Sequence, residues 1–300
     1  MVYLIDASVF IFRAWHSLPL ELQDAEGNPT QALYGFACFL GDLIERRSPH
    51  YLAALFDECD TGSFRHTLYP PYKANREPAP AALRRQFGLC REFCRHLGVA
   101  EFASPHFEAD DLIGTLASRC RAEGLPVTVV SRDKDLAQLV GEDDAYWDYA
   151  GETEYGYHDI AARFGAAPER MADYLALRGD SVDNVPGVPG VGHKTAAALM
   201  RLYGSLDELF AQPELAATLP LRGAASLPER LRMHRAIAYR AQALTRIACN
   251  APLPVSRSDL RRLAPDLTAI GAFCDRHRFG TLLRRQASRI HASAPTGSGL

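Results

Sequence analysis

Three short runs rich in β-branched and aromatic residues, VYLI (2–5), YLAALF (51–56) and VTVV (127–130), alternate with long helical patterns over 31–46 and 109–123. Strands that alternate with helices leave few architectures: the strands lie parallel in one sheet and helices cover both of its faces. Each run also ends in acid. Asp6 follows the first, Asp57 the second, and Asp133 with Asp135 the third, in SRDKD. Open α/β sheets bind ligands outside the carboxyl ends of their strands, so these four carboxylates are expected in one crevice. Aspartate after a strand is also ordinary turn chemistry, an explanation that serves well for one strand and poorly for three in succession.

A further acid cluster opens FEADDLIGTLASRC. Leu112, Ile113, Leu116, Ala117 and Cys120 mark the buried face of a helix whose N-terminus carries Glu108, Asp110 and Asp111. The helix dipole favours acids there by about 0.3–1 kcal/mol each, enough to account for one or two of them. Glu108 and Asp111 stand i,i+3 on one face, and unpaired like charges about 4 Å apart repel by about 4 kcal/mol at an effective dielectric near 20. Something positive is therefore expected between them. Asp180 and Asp183, in GDSVDN, extend the set to nine carboxylates with no histidine or thiolate. Oxygen ligands alone select hard cations, Mg²⁺ first and Mn²⁺ second. Calcium is the competitor, but no Asp-x-Asp-x-Asp-Gly loop with a closing Glu is present.

The run after GDSVDN is built for close backbone approach. Gly187, Gly190 and Gly192 allow tight turning, and HKTAAALMRLYG then shows an apolar helical stripe at Ala196, Leu199, Met200 and Tyr203. A first helical turn has free N–H groups, so a phosphate fits there with Lys194 and Thr195 as added donors. An ordinary helix connection would read the same way. A dinucleotide site fits worse, because MADYLALRG before the loop reads as helix rather than strand, so the phosphate is expected to be polymeric. Between Asp57 and the FEADD helix, Arg65, His66, Tyr69, Tyr72, Lys73 and Arg76 interleave cations with rings, a composition suited to single-stranded nucleic acid. A solvated surface helix with a Pro-rich lead-in is the plainer alternative, although a segment placed directly after Asp57 can cover the crevice.

A net charge of −3 opposes nucleic-acid binding only until the nine acids are set aside for metal, which leaves the rest of the chain positive. Lys73, Lys134 and Lys194 are the only lysines among 33 basic residues, and all three lie in these motifs. The seven cysteines, with Cys90 and Cys94 at helical spacing, read as reduced packing thiols, and the histidines form no His-Glu-x-x-His pair for zinc. No run approaches the length of a membrane span and MVYLIDASVF lacks a basic flank, so a cytoplasmic protein without membrane contact is expected. Beyond residue 196 the pattern is helical, broken near prolines 213, 220 and 252, with Arg-rich segments around 229–246 and 273–290.

In this order, LIDASVFIFRAW, FDECDTGSFRH, YPPYKANR, FEADDLIGTLA, VSRDKDLAQLV and GDSVDNVPGVPGVGHKTA resemble the flap endonuclease or 5′-nuclease family, in particular the 5′–3′ exonuclease domain of bacterial DNA polymerase I. The likeness covers about residues 1–286, and without polymerase or proofreading portions the chain is expected to be free-standing. The resemblance implies an α/β fold: a PIN-like parallel-sheet catalytic domain over 1–170 with a helical arch at about 62–98, a helix-hairpin-helix (H3TH) DNA-binding domain over 171–255, C-terminal helices over 256–287 and a disordered tail over 288–300. It further implies that Asp6, Asp57, Glu108 and Asp110 hold a first metal and that Asp111 sits at or between the sites. Asp133, Asp135, Asp180 and Asp183 would complete a second. Arg13, Lys73 and Arg76 would act on the scissile phosphate and 5′ strand; the DNA-binding residues expected from the sequence itself are Arg65 and Tyr72, from the interleaved cations and rings, and Gly190, Gly192, Lys194 and Thr195, from the glycine loop and helix start. The cofactors implied are two or more Mg²⁺, replaceable by Mn²⁺, and a K⁺ in the hairpin. The expected substrates are DNA with a 5′ flap, nick or 5′ end, or an RNA primer on DNA, cut by a monomer working in replication and repair beside a DNA polymerase. Arg132 departs from the small residue common at that position. A non-catalytic DNA-binding protein and a PIN-type ribonuclease are the alternatives; the intact acid set opposes the first and GVPGVGHKTA the second.

Overall fold

The computed structural model describes residues 1–58 and 62–293. Its centre is a six-stranded sheet in the order β3-β2-β1-β4-β5-β6, formed by β1 (Val2–Asp6), β2 (Tyr51–Asp57), β3 (Ala100–Ser104), β4 (Val127–Val130), β5 (Ala145–Asp148) and β6 (Thr153–Gly156). The first five strands are parallel. β6 returns antiparallel from β5 and closes one edge, so the expected parallel sheet has one exception. The chain steps from β1 outward to β3 and then crosses to β4 on the other side of β1, which makes the carboxyl ends of β1 and β4 the switch point where a crevice opens.

Alternation along the strands sorts side chains onto two faces. Val2, Leu4, Ala53, Leu55, Val127 and Val129 join one core, and Ile5, Leu52, Ala54, Phe56 and Val130 join the other. The second face is covered by α1 (Ala7–Ser17), α2 (Gln31–Arg47) and α4 (Ala81–His96), together with α12 (Leu267–Arg276) and α13 (Thr281–Ala292) from the far end of the chain. The short α3 (Phe64–Leu68) precedes α4. The first face is covered by α5 (Ala109–Ala122), followed by α6 (Tyr157–Phe164), α7 (Met171–Arg178), α8 (His193–Leu202), α9 (Leu206–Ala211), α10 (Leu227–Met233) and α11 (Arg235–Thr245). Leu175, Leu177, Leu199 and Leu244 share one buried cluster with Leu112 and Leu116, so the helical half packs directly on the sheet half.

Three expectations change in detail. The Arg-rich segment at 229–246 is two helices that break at His234. The tail expected to be disordered from residue 288 is helical through Ala292, and 294–300 lie outside the described residues. Within the expected arch, α4 buries Leu83, Cys90, Phe93 and Cys94 against the second face, which leaves the turn-rich stretch 69–80 as the part that borders the crevice. Among the described residues, no helix is long and apolar enough to cross a membrane.

Candidate active site

β1 runs into α1 without a loop, so Asp6 is both the last strand residue and the helix cap. One oxygen accepts from Val9 N at 3.5 Å and the other from Ser131 Oγ at 2.8 Å. Ser131 Oγ also accepts from Asp133 N at 3.0 Å, and Asp133 caps the 3₁₀ turn Lys134–Leu139 by accepting from Asp135 N at 2.9 Å. At the end of β2, Asp57 accepts from Ala109 N, the first residue of α5, at 2.8 Å, while its own N–H donates to Ser8 Oγ at 3.1 Å. The N-termini of α1, α5 and the 3₁₀ turn therefore carry these acids toward one place, where the helix dipoles reduce the repulsion among them.

That place is a cavity of about 300 Å³ lined by Asp6, Asp57, Glu108, Asp110, Asp133 and Asp183, with Lys73, Arg76 and the exposed ring of Phe12 on its walls. Asp135 and Asp180 line a smaller adjoining space of about 20 Å³ with Glu108, Asp110 and Asp183. Eight of the nine acids thus converge.

Asp111 does not. It is fully buried and turned away from the crevice, where it accepts from Arg65 Nη1 at 2.7 Å, Arg65 Nη2 at 2.8 Å, Ala248 N at 2.8 Å and Glu108 N at 3.1 Å. Arg65, expected on the DNA, is 2% exposed and also donates to the carbonyls of Leu244 and Arg246. Tyr72, expected there too, is 3% exposed; its hydroxyl lies 3.2 Å from both Glu108 Oε2 and Asp183 Oδ2, so its ring has no open face for a base. These three residues tie α3 and the crevice wall to the segment after α11. Arg13 is exposed one helical turn beyond Val9, in a separate groove with Phe10, Phe39 and Tyr149.

Two motifs that look independent in sequence are one unit in space. Lys73 has a left-handed backbone (φ 54°), held by its N–H to Asp183 O at 2.9 Å. Asn75 Nδ2 donates to Ser181 O at 2.9 Å, Asn184 Nδ2 donates to Pro71 O at 2.6 Å, and Arg76 pairs with Asp183. Lys73 Nζ reaches Glu108 Oε2 at 2.8 Å. Ser8, Ser131, Asn75 and Asn184 escaped the sequence reading. Their signal was available, since each is a small polar residue inside an acid or lysine motif.

The charges sort into two groups. Burial, then the neighbouring Asp57 and Asp133, raise Asp6 to about 7; burial and Asp133 raise Asp135 to about 7. Burial with Asp133, Asp6 and Asp57 pushes Asp110 well above the carboxylate range. Burial would raise Glu108 and Asp180 too, but Lys73 and Arg65 outweigh it at Glu108 and Lys134 outweighs it at Asp180, so both are held low. Among the described residues no three acids stand close enough to form a finished ligand cage. Carboxylates that force one another's protons on, in an all-oxygen set, are nonetheless a site that a hard divalent cation fits, because its charge relieves the repulsion.

The glycine loop is fixed to this site. Asp180 and Val185 exchange backbone hydrogen bonds of 3.0 and 2.7 Å, and Val188 N donates to Leu177 O at 2.9 Å. Gly179 (φ 77°) and Gly187 pass so closely that a Cβ on Gly187 would lie 2.4 Å from the Arg178 carbonyl carbon. Gly190 (φ 75°) turns the chain beneath Arg230, Gly192 caps α8, and Lys194 is exposed beside a half-buried Thr195 at that helix's start.

Comparison with known proteins agrees over nearly the whole chain. Residues 1–165 match the family model "5′-3′ exonuclease, N-terminal resolvase-like domain" and residues 166–268 match "5′-3′ exonuclease, C-terminal SAM fold". A 5′-3′ exonuclease of Aquifex aeolicus is 33% identical, covering 90% of this chain and 89% of its own. DNA polymerase I of Rhizobium leguminosarum is 43% identical over 69% of this chain but only 21% of its own length, so the chain spans about a fifth of that relative. The fold is that of the T5 D15 flap endonuclease solved as a pseudo-enzyme–product complex with DNA and metal ions (TM-score 0.63, 19% identity, 98% of this chain and 99% of that one).

Proposed function

The chain belongs to the 5′–3′ exonuclease family, and from that premise we propose that it hydrolyses DNA phosphodiesters at 5′ ends and 5′-flap junctions with the help of divalent metal ions. The observation that carries this reading is the crevice, where six carboxylates from five chain segments face one cavity with Lys73 and Arg76 on its wall. Asp6, Asp57, Glu108 and Asp110 would hold one ion, and Asp133, Asp135, Asp180 and Asp183 a second. Mg²⁺ is the first choice, with Mn²⁺ able to replace it. When bound, such ions supply Lewis acidity and a hydroxide nucleophile at neutral pH.

The chain's own residues do the rest. Lys73 and Arg76 now neutralise Glu108 and Asp183; with those acids taken up by metal, both cations turn to the scissile phosphate and to the charge that develops on it. Phe12 offers an exposed ring at the same wall, and Arg13, the next residue of α1, serves the 5′ strand from the neighbouring groove. Gly190, Gly192, Lys194 and Thr195 hold a duplex phosphate at the start of α8, with a K⁺ as an additional ligand of that hairpin. The Asp180–Val185 bridge fixes the distance from this grip to the acids, so the cut falls at a set step from the junction. The chain acts as a monomer in the cytoplasm, on nicked or flapped DNA and on primers of RNA joined to DNA, beside a polymerase.

The test compares a 5′-flap duplex, a nicked duplex and a 3′-flap duplex, with Mg²⁺ and with EDTA, for wild type and Asp57→Ala. Metal-dependent cleavage near the 5′ junction, lost in the variant and absent on the 3′ flap, is the expected result. Tight binding without cleavage in Mg²⁺ or Mn²⁺ would instead assign a structure-specific DNA-binding protein.

A further inference from the structure

Lys134 is the one lysine that the proposed reaction leaves without work. It sits between Asp133 and Asp135 in sequence, yet its ammonium lies outside the acid-lined crevice, where it hydrogen-bonds Asp180 Oδ2 at 2.5 Å and stands at ion-pair distance, 3.2 Å, from Asp135 Oδ1. Those two carboxylates reach it from opposite halves of the chain. Among the described residues, Lys134 is the only cation paired with either, whereas Asp6, Asp57, Asp110 and Asp133 form no ion pair. Asp135 and Asp180 are therefore held by a cation from inside their own motif, as Glu108 is held by Lys73, while Asp6, Asp57, Asp110 and Asp133 face one another without a counter-ion.

An ammonium and a divalent ion cannot share the space between the same two oxygens. For a metal to reach Asp135 and Asp180, Lys134 has to move, and the fold leaves it room. Its side chain is 34% exposed, and beside it opens a cavity of about 340 Å³ lined by Arg178, Ser181, Val182 and Gly187 as well as Lys134 and Asp180. Arg178 is exposed there. An ammonium displaced toward a guanidinium is unfavourable unless an anion joins them, and a backbone phosphate of DNA has the required charge and size.

We propose that Lys134 is an internal counter-ion that closes the Asp135–Asp180 part of the cluster to divalent ions until a DNA phosphate, bound in the cavity shared with Arg178, draws the ammonium away. The inference rests on the reading that the acid cluster binds divalent ions. It deepens that reading by coupling the second ion to the substrate. By linkage, DNA raises affinity for that ion and the ion raises affinity for DNA by the same factor, through one side chain.

Mn²⁺ binding to the full chain, followed by electron paramagnetic resonance at low ionic strength, tests this without any turnover. Without DNA, wild type should bind one ion tightly and a second weakly. Lys134→Met should bind the second at least about tenfold more tightly, and Lys134→Arg should keep the wild-type pattern. Lys134→Gln, which can still donate to Asp180, should behave as Lys134→Met and serves if the methionine variant does not fold. Adding a flap duplex with a non-hydrolysable linkage at the junction should tighten the second ion in wild type and change little in Lys134→Met. Equal affinity for the second ion in wild type and in both neutral variants would overturn the proposal. If wild type binds no Mn²⁺ at all, the metal reading itself falls, and the two failures are thereby distinguished.

Discussion

Asp111→Asn separates the one acid of the nine that the fold turns inward from the eight that the crevice gathers. The Asp111 carboxylate is fully buried and accepts four hydrogen bonds, two of them from one guanidinium that is itself 2% exposed. Asparagine keeps the shape but removes the charge and turns an accepting oxygen into an NH₂ that faces other donors. Arg65 would then be buried with only Glu108, 3.7 Å away, to balance it. Breaking a buried pair in this way costs about 3–5 kcal/mol. The assay is urea unfolding in EDTA, with Asp110→Asn as the matched comparison one residue earlier. Asp110 is destabilised by its neighbours, so neutralising it should leave stability unchanged or higher while weakening Mn²⁺ binding. Asp111→Asn should show the converse. If it lost less than about 1 kcal/mol and weakened Mn²⁺ binding as strongly as Asp110→Asn, the assignment of Asp111 to the interior would be wrong.

The pH dependence of the metal-free protein has a definite sign. Asp6 and Asp135 have folded pKa values near 7, above the usual carboxylate range, so the stability they contribute is complete at low pH and is lost as pH rises toward and through 7. Melting in EDTA should therefore occur at lower temperature at pH 8 than at pH 5.5, and saturating Mg²⁺ should remove the difference; a rise toward pH 8 in EDTA would refute this. Glu108 and Asp180, held low, contribute loss only below the ordinary carboxylate range. Gly187→Ala forces a Cβ into the backbone of residues 178 and 179, and should cost about 1–3 kcal/mol in melting experiments and reduce cleavage by displacing Asp180 and Asp183. Lys194→Ala should weaken duplex binding equally for all sequences and lower the salt slope by about one, as measured by fluorescence anisotropy across salt concentrations. Lys73→Ala should slow single-turnover cleavage more than it weakens binding.

The parts of the fold that were legible in sequence are those with undiluted physical signals. VYLI, YLAALF and VTVV are buried on both faces and read as strands, whereas AEFAS, AYWD and TEYG mix small, charged and aromatic residues near the sheet edges and carry no such run. The convergence of Asp6, Asp57 and Asp133 follows from strand ends in a parallel sheet. Repulsion between Glu108 and Asp111 correctly demanded a cation, but the cation is Arg65, 46 positions before Asp111, and nothing in local spacing distinguishes a guanidinium brought by the fold from a metal. Interleaved rings and cations misled for a related reason. Composition gave Tyr72 and Arg65 a surface role, whereas the docking of 71–76 on 181–184 buries the tyrosine hydroxyl between two acids.

The claim on which the account depends is that the carboxyl-terminal crevice, and not the Asp111 pocket, binds divalent ions. Anomalous scattering from crystals soaked in Mn²⁺ tests it directly. The account predicts a peak bounded by Asp6, Asp57, Glu108 and Asp110, with none at Asp111. A peak at Asp111, or no peak among the crevice acids in crystals shown to hold Mn²⁺ elsewhere, would contradict it.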